Sequence, residues 1–209
     1  MQELLKPISR GTFDRLVRQH RADKHSKGFG GWDHLVAMVY AQLSGASSLR
    51  DLVAGFNSQS AHHYHLGTAD IRRSTLAEAN AKRTSAVFED LARSLMAQAG
   101  RALRHDGQAL QYLLDSSPIS LKGRGFDTWA AGTATRRTQG LKLHLLLSAT
   151  EATPARFSLS APNVNDINAG RTLPIEAGAT YVFDKGYCDY SWWAQLHAQG
   201  ARFVTRFKS

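Results

Sequence analysis

The sequence has one cysteine, Cys188, and no long hydrophobic run. A single cysteine excludes an intramolecular disulfide and indicates a reducing compartment. No segment approaches the roughly 18 consecutive apolar residues that a membrane span requires. The N-terminus, Met1-Gln2-Glu3, carries an acidic residue and lacks the apolar core of a signal peptide. These absences predict a soluble cytoplasmic protein with no membrane partner.

Acidic residues are also few in comparison with basic ones. The 209 residues include 26 Lys and Arg against 17 Asp and Glu, which gives a net charge of +9. Such an excess favours polyanionic partners, and nucleic acid is the first candidate. The hydrophobic content of 43% is that of a globular protein. A basic protein with no nucleic-acid role is the alternative that composition leaves open.

Apolar residues in the first half recur with the period of an α-helix. The clearest series is Trp32, Leu35, Val36, Val39, Tyr40 and Leu43, and Gly45 follows its end. Ser48-x-x-Asp51 and Thr75-x-x-Glu78 resemble capping boxes at the starts of two further helices. Residues 1–105 are therefore predicted to form a helical N-terminal domain.

Two polar tracts in this half have competing interpretations. His62-His63-Tyr64-His65 lacks a nearby cysteine, so a polar connection between helices explains it better than a zinc site. Arg72-Arg73 precedes a predicted helix, where the pair could meet phosphate or form a solvated basic face. The sequence favours neither reading of the arginines.

From Asp106-Gly107 onward the pattern changes to strands that alternate with short helices. Strands are predicted at 109–114, 141–147, 155–160, 180–183 and 202–207, with helices at 164–169 and after Asp189. Residues 116–141 are rich in Gly, Thr and Arg and predict a loop or ribbon. Residues 106–209 are therefore predicted to form a mixed α/β sheet that begins like ribonuclease H.

Two of these strands are predicted to end in an aspartate, Asp115 and Asp184. Carboxylates at strand ends lie where open α/β sheets bind ligands, and two of them could hold Mg²⁺. Paired metal ions of this kind catalyse phosphodiester cleavage. A turn or cap role for Asp115 and an ion pair between Asp184 and Lys185 are the alternatives for each residue alone. The two aspartates together, on a basic chain, favour the metal site.

These segments resemble the catalytic core of bacterial insertion-sequence DDE transposases, in the group numbered four in their classification. The matching blocks are Leu114-Asp115-Ser116-Ser117-Pro118-Ile119, Lys142-Leu143-His144, Val182-Phe183-Asp184-Lys185-Gly186-Tyr187 and Arg202-Phe203-Val204-Thr205-Arg206. The helical half resembles the domain that precedes this core, through Lys27-Gly28-Phe29, Trp32-Asp33-His34-Leu35, Gln42-Leu43-Ser44, Ser48-Leu49-Arg50-Asp51 and Ser74-Thr75-Leu76-Ala77-Glu78-Ala79-Asn80. The similarity covers nearly the whole chain.

The resemblance implies an incomplete ribonuclease-H-like core and Mg²⁺- or Mn²⁺-dependent cleavage and strand transfer of double-stranded DNA at transposon ends. Asp115 and Asp184 match the first and second catalytic, metal-binding acids of the family. Asp166 falls where the group often has an acid, but it is not expected to bind metal. Basic residues expected to meet DNA are Arg72, Arg73, Arg136, Arg137, Lys142, His144, Lys185 and Arg206. A homodimer is implied for the full-length protein, in a bacterial, nucleoid-associated location.

The third acid of the family is a Glu on a later helix, within a Tyr-x₂-Arg-x₃-Glu-x₆-Lys pattern that does not occur before Ser209. Glu151 and Glu176 do not match this pattern. The resemblance therefore implies a truncated copy, residues 106–209 being a partial core, with little or no strand-transfer activity. The alternatives are a non-catalytic DNA-binding fragment that competes with the full-length transposase, and a small two-acid nuclease or phosphatase.

Overall fold

A computed structural model describes residues 1–24, 26–103, 109–121 and 140–207. The chain divides into two compact units, Met1–Leu95 and Met96–Ser209. The first unit is helical, and the second contains a sheet with flanking helices. None of the helices in the described ranges is both long and apolar enough to cross a membrane.

The helical unit follows the apolar periodicity of the first half. Its helices are α1 (Gln2–Leu5), α2 (Arg10–Gln19), α3 (Gly31–Ser44), α4 (Leu49–Asn57), α5 (His63–Leu66) and α6 (Arg73–Lys82), followed by α7 (Ala86–Leu103). Their buried faces meet in one core around Phe13, Val36, Phe56 and Leu76. The division between the two units falls within α7.

The two predicted capping boxes have different outcomes. Ser48 caps α4, because its hydroxyl accepts a hydrogen bond from the Asp51 amide at 3.2 Å. The box predicted at Thr75-x-x-Glu78 is wrong, because α6 already begins at Arg73 and contains both residues. Glu78 instead pairs with Lys82 one turn later in the same helix.

The second unit is built on a five-stranded sheet with the order β3-β2-β1-β4-β5. The strands are β1 (Gln111–Ser120), β2 (Gly140–Ser148), β3 (Thr153–Ser160), β4 (Thr180–Phe183) and β5 (Arg202–Val204). β2 is antiparallel to both β1 and β3, whereas β1, β4 and β5 are parallel. This order and these directions are those of a ribonuclease-H-like sheet. The predicted fold, a helical bundle followed by such a mixed sheet, is confirmed.

Strand bounds differ from prediction at two places. β1 does not end at Asp115 but continues to Ser120, because β2 pairs with it as far as Gly140. The loop predicted from residue 116 is therefore strand at its start, and Asp115 lies within β1. The last strand is shorter than predicted: β5 stops at Val204, where its registered pairing with Val182 of β4 ends.

Helices pack on one face of this sheet. They are α8 (Asp166–Gly170) and α9 (Tyr190–Ala198), and a 3₁₀ turn at Lys185–Tyr187 lies between them along the chain. The core contains Tyr181, Phe183, Tyr187, Trp192 and Leu196, all nearly inaccessible to solvent. Aromatic side chains of this size remove a large apolar area from water and dominate the stability of a small core. The predicted cap of α9 is confirmed: Asp189 Oδ1 accepts from the Trp192 amide at 2.7 Å.

Candidate active site

Asp115 and Asp184 each come directly after one residue of a pair that is matched across two neighbouring strands. Leu114 of β1 pairs with Phe183 of β4, and these are parallel neighbouring strands. Asp115 and Asp184 are the next residues on each strand. Neighbouring strands lie about 4.8 Å apart, and side chains alternate between the two faces along each strand. The fold therefore brings these two exposed carboxylates to one place on the sheet.

The backbone after β4 fixes the Asp184 side chain. Asp184 Oδ1 accepts a hydrogen bond from the Gly186 amide at 2.8 Å and so caps the 3₁₀ turn. No Lys, Arg or His in the described ranges lies within ion-pair distance of Asp115 or Asp184. The ion pair between Asp184 and Lys185, considered from the sequence, does not form.

Gly186 has no side chain where two carboxylates approach its backbone. An ideal Cβ at this position would lie 2.9 Å from Asp184 Oδ1 and 3.0 Å from Asp166 Oδ2. Real Cβ atoms essentially never approach another atom below 3.0 Å. A side chain at this position would therefore force Asp184 to shift and Asp166 to give by a few tenths of an ångström.

Of the three acids near this turn, Asp166 is the one with an ion pair among the described residues. Its Oδ1 accepts from Ser116 Oγ at 2.8 Å and from Lys142 Nζ at 2.9 Å. Lys142 Nζ also donates to the Val164 carbonyl at 2.8 Å. These contacts join α8 to β1 and β2 beside Asp115.

His144 lies beneath this ion pair and is only 3% exposed. Its Nε2 shares a hydrogen bond with Ser160 Oγ at 2.8 Å. Its Nδ1 lies 3.8 Å from Asp166 Oδ1 and has no hydrogen bond. Burial lowers the pKa of the imidazole; nearby Asp166 raises it and Lys142 lowers it.

Tyr187 connects the three acids electrostatically. Its ring is fully buried, and its hydroxyl makes no hydrogen bond of normal geometry with a described residue. Burial raises the pKa of this hydroxyl most, and the charges of Asp166, Asp115 and Asp184 raise it further, against a lowering by Ser116. All three acids therefore act on one buried phenol in the same direction.

The donor set of Asp115 and Asp184 suits a hard divalent cation. Two carboxylates without a basic partner can bind Mg²⁺ or Mn²⁺ when water and phosphate oxygens complete the coordination. The described residues contain no group of three or more His, Cys, Asp or Glu arranged to hold a metal. Glu151 and Glu176 do not add a third acid, because they contact Ser148 and Tyr112 at the opposite end of the sheet. Within the described ranges, Asp115 and Asp184 are therefore the two carboxylates of the candidate site.

The basic residues expected to meet DNA have different surroundings. Arg72, Arg73, Lys185 and Arg206 are exposed, whereas Lys142 is ion-paired and His144 is buried. Arg136 and Arg137 lie outside the described residues. A phosphate contact by any of the exposed four stays a prediction.

A basic cleft in the helical unit was missed by the sequence reasoning. It has a volume of about 660 Å³, and Arg21, Lys24, Lys27, Lys82 and Arg83 contribute to its lining. Lys82 and Arg83 are paired with Glu78 and Asp23. The other three cations are exposed and have no acidic partner within 4 Å among the described residues. The signal available in the sequence was the cluster of basic residues between 15 and 27.

Two family models match the chain. The one described as "Domain of unknown function (DUF4372)" matches residues 1–69, and the one described as "Transposase DDE domain" matches residues 106–209. The second match contains both Asp115 and Asp184.

One relative is a protein of Sinorhizobium fredii named "Putative transposase y4zB", 43% identical over 134 residues. The alignment covers 64% of this chain, which spans 36% of that protein's length. Among solved structures, the piggyBac transposase synaptic complex with hairpin DNA aligns with a TM-score of 0.48 and 12% identity. That alignment covers 84% of this chain and 40% of the other. The domain match over residues 106–209 and the sequence relative together support a bacterial DDE-type insertion-sequence transposase.

Proposed function

We propose that this chain binds the ends of an insertion sequence and holds a divalent cation between Asp115 and Asp184, as the part of a transposase that takes part in DNA strand cleavage and strand transfer. The observation that carries the proposal is the registered pair Leu114 and Phe183, since each is followed by one of the two acids. The DDE family match over the same segment supports the reaction class.

A bound Mg²⁺ or Mn²⁺ would activate the attacking oxygen and stabilise the leaving oxygen of the scissile phosphodiester. Asp115 and Asp184 would hold it. The Gly186 amide orients Asp184 by its 2.8 Å hydrogen bond, which reduces the freedom of that carboxylate before the cation arrives. Lys185 is exposed next to Asp184, and in this proposal it would meet a DNA phosphate.

The helical unit supplies a surface for the DNA backbone in this proposal. Arg21, Lys24 and Lys27 line one cleft and have no ion pair among the residues that the structure describes. Exposed cations of this kind bind DNA phosphates without reading sequence. This cleft also supports the second candidate function, DNA binding without cleavage. We place the protein on bacterial DNA in either case.

The proposal is tested by direct binding of Mn²⁺ in the absence of DNA. Electron paramagnetic resonance counts free Mn²⁺, so titration gives the affinity of the chain without requiring turnover. We expect the tightest binding to be lost in Asp115→Asn and in Asp184→Asn. Glu151→Gln removes a carboxylate at the other end of the sheet and should bind as wild type does.

Nicking of duplexes that carry the insertion-sequence end is the second measurement. Mn²⁺-dependent nicking that both aspartate variants abolish supports cleavage by this chain. Mn²⁺ binding that is the same in wild type, Asp115→Asn and Asp184→Asn contradicts the proposed site. Salt-sensitive DNA binding without nicking favours the second candidate function.

A further inference from the structure

Lys142 donates a hydrogen bond to Asp166, whose other carboxylate oxygen approaches Gly186 from the same side as Asp184 Oδ1 does. Its position on β2 pairs with Pro118 of β1, three residues beyond Asp115. The side chain is mostly shielded, with 16% of it exposed. A lysine ammonium is a compact charge on a flexible stem, so it can pair with whichever carboxylate is within reach.

An ammonium that pairs with Asp115 or Asp184 would compete with a divalent cation for the same oxygens. The structure holds Lys142 elsewhere: its Nζ donates to Asp166 Oδ1 at 2.9 Å and to the Val164 carbonyl at 2.8 Å. The first acceptor is on Asp166, the first residue of α8, and the second is on Val164, two residues before it. Among the described residues, Asp115 and Asp184 have no basic partner within ion-pair distance.

Lys142 is the charge that balances Asp166. The other basic group within 4 Å of Asp166 among the described residues is His144, at 3.8 Å and without a hydrogen bond. Burial lowers the pKa of His144, which favours its neutral form at pH 7. Lys142 is therefore the one positively charged partner of Asp166 among the described residues.

We propose that Asp166 is a positioning residue that binds Lys142 and keeps this ammonium away from the cation site at Asp115 and Asp184. The inference rests on the proposed function, because it assumes that these two acids hold a divalent cation. Asp166 acts through Lys142 and does not itself bind the cation.

Two other effects of Asp166 have to be separated from this one. Its hydrogen bond to Ser116 ties α8 to β1, so its loss could weaken cation binding by loosening the structure. Its negative charge could also attract the cation directly from nearby. A double-mutant cycle with Lys142 distinguishes all three effects.

The cycle compares wild type with Asp166→Asn, Lys142→Met and the double variant, by Mn²⁺ titration with paramagnetic resonance and no DNA. We expect Asp166→Asn to lower Mn²⁺ affinity about tenfold, because the released ammonium pairs with the site. Lys142→Met alone should leave the affinity within about twofold of wild type, and the double variant should match it. Asn is close in shape to Asp and can still accept from Ser116, and urea unfolding of each variant checks that the fold is kept.

Other outcomes overturn the inference in distinguishable ways. If the double variant stays as weak as Asp166→Asn, Asp166 acts as a structural tie. If Lys142→Met raises affinity by as much as Asp166→Asn lowers it, the two charges act independently through space. If Asp166→Asn binds like wild type while Asp115→Asn and Asp184→Asn do not, the inference fails and the proposed site stands. If wild type binds no Mn²⁺, both fail together.

Discussion

Leu114 and Phe183 face each other in the last registered pair of two parallel strands, and each is followed at once by an aspartate. Both apolar side chains are buried in the core under the sheet. Their packing fixes the register of β1 against β4, because a slip of one residue would expose both side chains. The same register places Asp115 beside Asp184, so the core that stabilises the fold also assembles the site.

The close approach at Gly186 gives a prediction for the cation site. In Gly186→Ala, the added Cβ would meet Asp184 Oδ1 at 2.9 Å and Asp166 Oδ2 at 3.0 Å, so one carboxylate must move. Overpacking of this kind costs about 1–3 kcal/mol. We expect weaker Mn²⁺ binding and a lower free energy of unfolding, measured by titration and by urea denaturation.

Gly11→Ala is the control for this substitution, because nothing lies within 4 Å of the added Cβ on α2. It should cause no loss of stability and no change in Mn²⁺ affinity. If Gly186→Ala binds Mn²⁺ as tightly as wild type does, cation binding does not depend on the close approach of Asp166 and Asp184 to Gly186.

The basic cleft predicts how DNA affinity depends on salt. Replacing Lys24 or Lys27 by Gln should weaken binding to any duplex, because these cations would contact phosphate and not bases. Each lost contact should reduce the slope of log affinity against log salt by about 0.9. Fluorescence anisotropy at several salt concentrations measures this. Lys6→Gln, outside the cleft and paired with Glu3, should leave the slope unchanged.

Arg21 allows charge to be removed from the cleft without loss of stability. Its backbone has φ of 51°, in the left-handed region that favours glycine. Arg21→Gly should therefore lower DNA affinity while the free energy of unfolding stays at or above the wild-type value. If this variant and the Lys24 and Lys27 variants all bind DNA as tightly as wild type does at every salt concentration, the cleft is not the DNA-binding surface.

Asp189 predicts a stability change at the start of α9. Asp189→Ala should cost about 1 kcal/mol, because the Trp192 amide loses its side-chain acceptor. The hydrogen bond from Trp192 lowers the pKa of this carboxyl most, and Arg171 also contributes. Because the folded state lowers this pKa, the ionised carboxyl contributes to the free energy of unfolding at neutral pH. That contribution is lost as pH falls from about 3.9, the value in the unfolded chain, through the pKa in the folded state. Asp189→Asn keeps a side-chain cap and should remove the acid dependence of the free energy of unfolding. An unchanged urea midpoint in Asp189→Ala would contradict the role of Asp189 as the cap of α9.

His34 predicts a pH dependence in the helical unit. Burial lowers its pKa most, and Arg83 also lowers it, whereas the hydrogen bond to Asn80 and the charge of Asp23 raise it. Because the unfolded chain takes up the proton first, the free energy of unfolding should fall as pH drops below 6.5 towards the folded pKa. His34→Gln should flatten this decline in urea denaturation between pH 7.5 and 5.5. The exposed His62→Gln should leave the decline unchanged, and an equal decline in His34→Gln would contradict the assignment.

Local patterns in the sequence predicted a helix or its cap well where the interactions that form it lie within one short segment. The helical period around Val36, the cap at Ser48 and the cap at Asp189 depend on neighbours within a turn. The bounds of β1 could not be predicted in the same way, because Ser116 to Ser120 are strand only through pairing with β2. The basic cleft was missed for a related reason, since it joins Arg21, Lys24 and Lys27 to α6 far along the chain.

Hydrophobic periodicity and short motifs predicted a helical half, a half in which strands and helices alternate, and two aspartates after apolar strands. They did not predict that Asp166 contacts Lys142 and Ser116, that His144 is buried, or that two carboxylates approach Gly186. Such contacts depend on strand order and register, which are set by packing of side chains distant in the chain, so no local pattern encodes them.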